Sequence, residues 1–181
     1  MLAYPVSDKP IDYTKPTFIQ PKLDGVRCLI QYEGGGICKA YSRTGKEWKN
    51  IEHILFNLTE WFVLNPNVIL DGELYNHDFK DDFESIISMV RKTKPTDEDR
   101  SISANNVQFH CYDIVDETKS FEQRNNFIKQ AVPRNHCVHH VPTYKVESEF
   151  TTKLMHNQNL KDGYEGSILR SNNKYQCKRS H

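Results

Sequence analysis

The sequence predicts an α+β domain, and three observations carry that prediction. Residues 18–43 read as an antiparallel meander of short β-rich runs broken by glycine turns. Apolar residues then recur at helical spacing in several separate segments, and short strand-like runs at 68–70 and 107–114 return between them. At 181 residues the chain fits one domain of ordinary size, large enough to bury a proper core, so a single unit over 1–181 is expected.

Taken in order, residues 1–16 hold Pro5, Pro10 and Pro16 among polar residues and read as an irregular lead-in with room for one short strand at most. Thr17-Phe18-Ile19 and Cys28-Leu29-Ile30 have strand character, and Asp24-Gly25 between them reads as a tight turn. Lys22 then stands at the end of the first strand, at a sheet edge facing a cleft. Gly34-Gly35-Gly36 turns the chain into a third strand from Ile37 to Tyr41, followed by the loop Ser42-Arg43-Thr44-Gly45.

Ile51, Ile54, Leu55, Leu58 and Phe62 keep helical spacing after Asn50, an expected N-cap, which predicts an amphipathic helix over 51–62. Asn65-Pro66-Asn67 ends it, and Val68-Ile69-Leu70 is a short strand that delivers Asp71 and Glu73 to its far end. Two carboxylates two residues apart on a strand share a face, which is unfavourable unless a cation sits between them. The alternative is a polar turn. Phe79, Phe83, Ile86, Ile87 and Val90 mark a second helix after Asp78, ending in Arg91-Lys92-Thr93-Lys94, a cationic end that suits the helix dipole. Residues 95–106 are polar and charge-rich and read as a mobile surface loop.

On the strand over 107–114, Phe109, Cys111 and Asp113 share one face, and His110, Tyr112 and Ile114 the other. Phe121, Arg124, Ile128 and Val132 mark a third helix stopped by Pro133. His136-Cys137-Val138-His139-His140 has metal-like residue types, yet it alternates on a strand and no second ligand pair stands at zinc spacing elsewhere. Val146, Phe150 and Leu154 mark a last helix, and Asp162-Gly163 turns the chain into a final strand running from Tyr164 to Arg170.

Composition limits the partners. With 24 basic and 24 acidic side chains the formal net charge is zero, so any contact with nucleic acid rests on local basic clusters such as Arg91-Lys92-Thr93-Lys94, Lys174 and Lys178-Arg179. The five cysteines are scattered and odd in number, which argues against a disulfide framework and for a reducing compartment. No apolar run reaches membrane length, and the first residues do not read as a signal peptide. A cytoplasmic monomer with no membrane partner is the expectation.

The chemistry concentrates in Gln20-Pro21-Lys22-Leu23-Asp24-Gly25-Val26-Arg27. A free lysine has a pKa of about 10.4, and bringing its amine to parity at pH 7 takes about 4 to 5 kcal/mol of differential environment. Arg27 and a nearby metal ion would disfavour the ammonium and leave an amine able to attack phosphorus. The bland alternative is a pair of solvated cations at the ends of a hairpin.

Lys22-Leu23-Asp24-Gly25-Val26-Arg27 resembles the first motif, Lys-x-Asp-Gly-x-Arg, of the covalent nucleotidyltransferases: ATP-dependent DNA ligases, RNA ligases and mRNA capping enzymes. Ser42-Arg43-Thr44-Gly45, Leu70-Asp71-Gly72-Glu73-Leu74, Phe109-His110-Cys111-Tyr112-Asp113-Ile114 and Glu165-Gly166-Ser167-Ile168-Leu169-Arg170 resemble further motifs of that family in the right order. Each alone is weak, but together they span nearly the whole chain, and the wording around Lys22 is most similar to DNA ligases of viral or phage type.

The resemblance implies a nucleotidyltransferase (ATP-grasp-like) fold with antiparallel sheets flanking a nucleotide cleft. It implies that Lys22 forms a lysyl-AMP intermediate from ATP and that the AMP passes to the 5′-phosphate of nicked double-stranded DNA. Tyr112 would stack on the purine, Gln20 would read the adenine edge, and Glu73 and Glu165 would hold Mg2+ (or Mn2+). Arg27, Arg43 and Arg170 would lie near the nucleotide, its phosphates or the DNA. The family also has a Lys-x-Lys motif and an oligonucleotide-binding-fold domain after an Arg-Ser step like Arg179-Ser180, whereas this sequence stops at His181. The expectation is an adenylation domain clipped before its last strand, with a separate C-terminal fragment as a further partner. An RNA ligase, a capping guanylyltransferase and a non-catalytic ATP- or DNA-binding fragment are the competing readings.

Overall fold

The computed structural model describes residues 10–177. In chain order its strands are β1 (Thr17–Lys22), β2 (Val26–Gly34), β3 (Ile37–Tyr41), β4 (Ile69–Tyr75), β5 (Gln108–Ile114), β6 (Val138–His140), β7 (Tyr144–Val146) and β8 (Gly166–Ser171). Its helices are α1 (Glu52–Leu64), α2 (Phe83–Val90), α3 (Asp97–Asn106), α4 (Phe121–Ala131) and α5 (Glu149–Lys161), with a 3-10 turn at His77–Phe79. The strands divide into a three-stranded sheet in the order β7-β1-β8 and a five-stranded sheet in the order β3-β2-β4-β5-β6. All pairs are antiparallel except β5 with β6, which run parallel.

This topology corrects the expected meander. β1 does not pair with β2. It pairs with β7 and β8, and β2 begins the other sheet. Asp24-Gly25 is therefore a crossing between sheets rather than a hairpin turn. Gly25 is required there by close approach, since a Cβ at this position would collide with the Leu74 carbonyl oxygen and come within 2.8 Å of Glu73 Cγ. Its φ is not positive, so conformational freedom is not the reason.

The core fills the space between the five-stranded sheet and α1. Ile54, Leu58 and Phe62 of α1 are fully buried with Cys28, Ile30, Ala40, Leu70, Leu74 and Phe109 from the strands. The expected helical period is thus the core face. Ile51, not Asn50, occupies the α1 N-cap; Asn50 is instead buried and donates through Nδ2 to the Met89 and Asp99 carbonyls, at 2.8 and 3.2 Å. The second helix starts after Asp82, whose side chain accepts from Ser85 N, and Phe79 belongs to the preceding 3-10 turn.

Two expectations fail on amphipathicity. Residues 97–106 are helix α3, not a mobile loop. A capping box holds its N-terminus: Thr96 Oγ1 accepts from Asp99 N, and the Asp99 carboxylate accepts from Thr96 N. A polar helix needs little core face, and here Ser103, which donates to the Asn50 carbonyl, is its buried residue. On α5, Phe150 and Leu154 are exposed at 75% and 60%, so their spacing does not mark a core face.

Candidate active site

Alternation along β1 sends Phe18, Gln20 and Lys22 to one face of the three-stranded sheet. Across the ladder their partners are Arg170, Ile168 and Gly166. A Cβ at Gly166, opposite Lys22, would meet only His156 Cε1, at 3.7 Å. Lys22 Nζ sits 2.5 Å from Glu165 Oε1, and both side chains are close to half exposed. Glu165 immediately precedes β8, so the pair joins the ends of two neighbouring strands.

The other sheet carries a second polar group, Arg27 on β2, Asp71 and Glu73 on β4 and Tyr112 on β5, linked to this pair through Asp24, which feels Glu165 and Lys22 and is felt by Glu73. Arg27 donates from Nε and Nη2 to both oxygens of Asp71, at 3.0 and 2.8 Å, and from Nη2 to the Tyr175 hydroxyl at 3.0 Å. Tyr175 in turn donates to Asp71 Oδ2 at 2.8 Å. Arg27 is therefore committed to Asp71 in a bidentate pair, the strongest geometry available to a guanidinium. The cation required beside the Asp71 and Glu73 carboxylates is this arginine, and it satisfies only Asp71.

Glu73 keeps a weaker partner, the Tyr112 hydroxyl, which donates to it at 3.3 Å. Burial pushes its pKa up to about 8, with Asp71 and Asp24 adding to the rise against the opposing effects of Tyr112 and Arg27. Asp24 is also raised, first by burial and then by Glu165, with Lys22 opposing. Asp24 thus lies within electrostatic reach of Glu165 on one side and Glu73 on the other, while Glu165 alone of the described residues is paired with Lys22; carboxylate oxygens are the donors a hard divalent cation takes. Among the described residues no group of three or more His, Cys, Asp or Glu is placed to hold a metal by itself.

Beneath Tyr112 lies a buried polar network. Gln20 is 2% exposed; its Nε2 donates to the Tyr112 carbonyl at 3.2 Å and to Thr143 Oγ1 at 2.9 Å, and its Oε1 accepts from Arg170 Nε at 3.0 Å. The Arg170 guanidinium lies 5.2 Å from the centre of the Tyr112 ring. Arg170 also lies 3.7 Å from Asp113, which is held bidentately by Arg124 at 2.7 and 3.2 Å. Gln20 and Arg170 are in this way brought together with Tyr112, in a neighbourhood where both amide ends of Gln20 are engaged within the protein. Arg43 is not brought to it: it stands exposed in the loop after β3.

Sequence reasoning missed Tyr175, Arg124, Thr143 and the structural part played by Asp113. Arg124 sat at a helical core position and was readable as a buried cation needing a carboxylate; Tyr175 lies in a polar stretch with no periodicity to mark it. A cavity of about 480 Å³ lies on the opposite face of β1, among Ile19, Ser167, Leu169 and α5, and holds none of these groups. His139 stacks on His110 with ring centres 4.8 Å apart, and His140 bonds the Val132 carbonyl at 3.0 Å.

Comparison with known proteins converges on one group. The chain is 27% identical over 163 residues to a DNA ligase of African swine fever virus (isolate Warthog/Namibia/Wart80/1980), covering 86% of this chain and 36% of that protein. It spans little more than a third of the length of such curated relatives. Its fold is similar to the Chlorella virus DNA ligase-adenylate, with a TM-score of 0.67 and 20% identity over 98% of this chain and 60% of that one. It is likewise similar to the ATP-dependent DNA ligase of bacteriophage T7 in complex with ATP, with a TM-score of 0.66 and 16% identity over 97% of this chain and 64% of that one. The family model described as "ATP dependent DNA ligase domain" matches residues 1–181, and the chain belongs to that family.

Proposed function

We propose that this chain carries out the nucleotidyl-transfer step of an ATP-dependent DNA ligase, with Lys22 as the nucleophile. The observation that carries the reading is the Lys22–Glu165 pair, part-exposed where the central strand β1 ends beside the start of β8, with the Asp24 carboxylate next to it. Neutral Lys22 Nζ attacks the α-phosphorus of ATP; the P–N bond forms, the bond to the β-phosphate bridging oxygen breaks, and pyrophosphate leaves with the electron pair. The lysine proton departs to solvent or a neighbouring carboxylate. AMP then passes to the 5′-phosphate at a nick, and the adjacent 3′-hydroxyl displaces AMP. Tyr112 is the proposed purine platform, with Gln20 and Arg170 behind it and Arg43 outside for phosphate or DNA. Glu73 and Glu165 would hold Mg2+ or Mn2+, which when bound neutralises phosphate charge.

Nucleotide choice separates this reading from a capping guanylyltransferase. Incubation with α-labelled ATP or GTP and magnesium should give acid-labile label on protein from ATP and little from GTP. Preferential labelling by GTP would overturn the assignment to a ligase.

A further inference from the structure

Lys22 ends β1 and Glu165 immediately precedes β8 of the three-stranded sheet, yet each is anchored to the same place in the other sheet, the end of β4. Lys22 is anchored through Gly25, which packs on Glu73, Leu74 and Tyr75 so closely that a Cβ does not fit. Glu165 is anchored through the turn before it. There α5 closes in a Schellman motif, with Gly163 N bonding the Leu160 carbonyl at 3.1 Å and Tyr164 N the Asn159 carbonyl at 3.0 Å. Gly163 has φ +90°, and the aliphatic stem of Lys80 lies over it.

His77, just past β4, grips that turn. Its Nε2 lies 2.8 Å from the Asp162 carbonyl oxygen, and its Nδ1 lies 2.6 Å from the Tyr75 hydroxyl. A carbonyl only accepts, so Nε2 carries the proton, and in the neutral ring Nδ1 accepts from Tyr75. Its ring packs against Tyr164 with centres 4.4 Å apart. Tyr164 is the residue before Glu165.

We infer that His77 is a positioning residue for nucleotidyl transfer, holding the Asp162–Tyr164 turn against the end of β4 and so fixing Glu165 opposite Lys22. This rests on the proposed function above. Two substitutions separate the clamp from packing. His77→Gln places an amide N–H near the position of Nε2 and keeps the bond to Asp162; His77→Asn reaches only as far as Nδ1 and loses it.

Two readouts are taken on the full chain: the Lys22 adenylation rate against ATP concentration, and Lys22 acylation by an amine-selective reagent without nucleotide, followed by peptide mass spectrometry. His77→Asn should lower the maximal adenylation rate by about tenfold or more, with little change in the half-saturating ATP concentration, because misplacement acts on the step rather than on binding. It should also raise Lys22 acylation severalfold, as Glu165 no longer covers the amine. His77→Gln should restore both. Equal behaviour of wild type and His77→Asn in the acylation arm overturns the inference, and so does His77→Gln as defective as His77→Asn, which would assign His77 to packing. If wild type takes no label, or Lys22→Ala still takes it, the nucleotidyl reading fails while the acylation arm still decides the clamp.

Discussion

His110 shows how a residue can be right in position and unread in character. Its place on β5 beside Tyr112 was legible from strand alternation, but its environment was not, because the groups around it come from β4, β6 and the 3-10 turn. It stacks on His139, meets the edge of Tyr75 with ring centres 5.2 Å apart, and bonds Gln108 Oε1 at 2.9 Å. Burial, then the neighbouring His139 and His77, lower its pKa to about 3. An unfolded histidine titrates near 6.5. Between about pH 6.5 and about pH 3 the unfolded chain therefore binds a proton that the folded chain refuses, so stability present above 6.5 is lost as pH falls through that window. Denaturant unfolding at stepped pH should show wild type losing stability faster than His110→Gln, by at most about 1.4 kcal/mol per pH unit. Parallel curves would show that His110 is not held neutral. That Lys22 ends its strand was likewise legible, whereas the bidentate capture of Asp71 by Arg27 was not, since Tyr175 completes it from far along the chain.

Elements were legible where they bury an apolar face and illegible where they do not. α1 and β5 followed from spacing because core burial imposes a period. α3 was missed because it buries almost nothing, although Thr96-Asp97-Glu98-Asp99 carried its capping box in plain sight. Within β4 the glycine between the two carboxylates has a steric explanation: at Gly72 a Cβ would collide with the His110 carbonyl oxygen and come within 2.6 Å of the Phe109 ring, beside a register irregularity between β4 and β5. Gly72→Ala must push β5 away and carry Asp71 and Glu73 out of line. It should destabilise the fold by about 1–3 kcal/mol, as overpacked cores do, and lower adenylation further than that loss of folded protein explains. Denaturant unfolding together with labelling at a temperature where the variant is fully folded checks both parts; full activity in a folded Gly72→Ala chain would show that β4 and β5 need not pack so closely.

At the scale of the whole molecule the fold class and the local pairing of β2 with β3 were legible, and the long-range pairing of strands was not. Short strands announce themselves by composition, but which strand pairs with which is decided by contacts between residues more than a hundred positions apart, such as Thr17 with Val146 and with Ser171. That pairing gives the site its shape. It puts Lys22 at the end of β1 with Glu165 just before β8, and Arg27, Asp71, Glu73 and Tyr112 on the other sheet, so the proposed nucleotide chemistry lies between the two. In the proposed function Lys22 is the covalent link between chain and nucleotide. That link is tested most directly by incubating the full chain with ATP and magnesium and mapping the AMP adduct by peptide mass spectrometry. One adduct is expected, on the peptide containing Lys22, absent from Lys22→Ala and much reduced in Glu165→Gln; an adduct on another residue, or one that survives Lys22→Ala, would show that Lys22 is not the nucleophile.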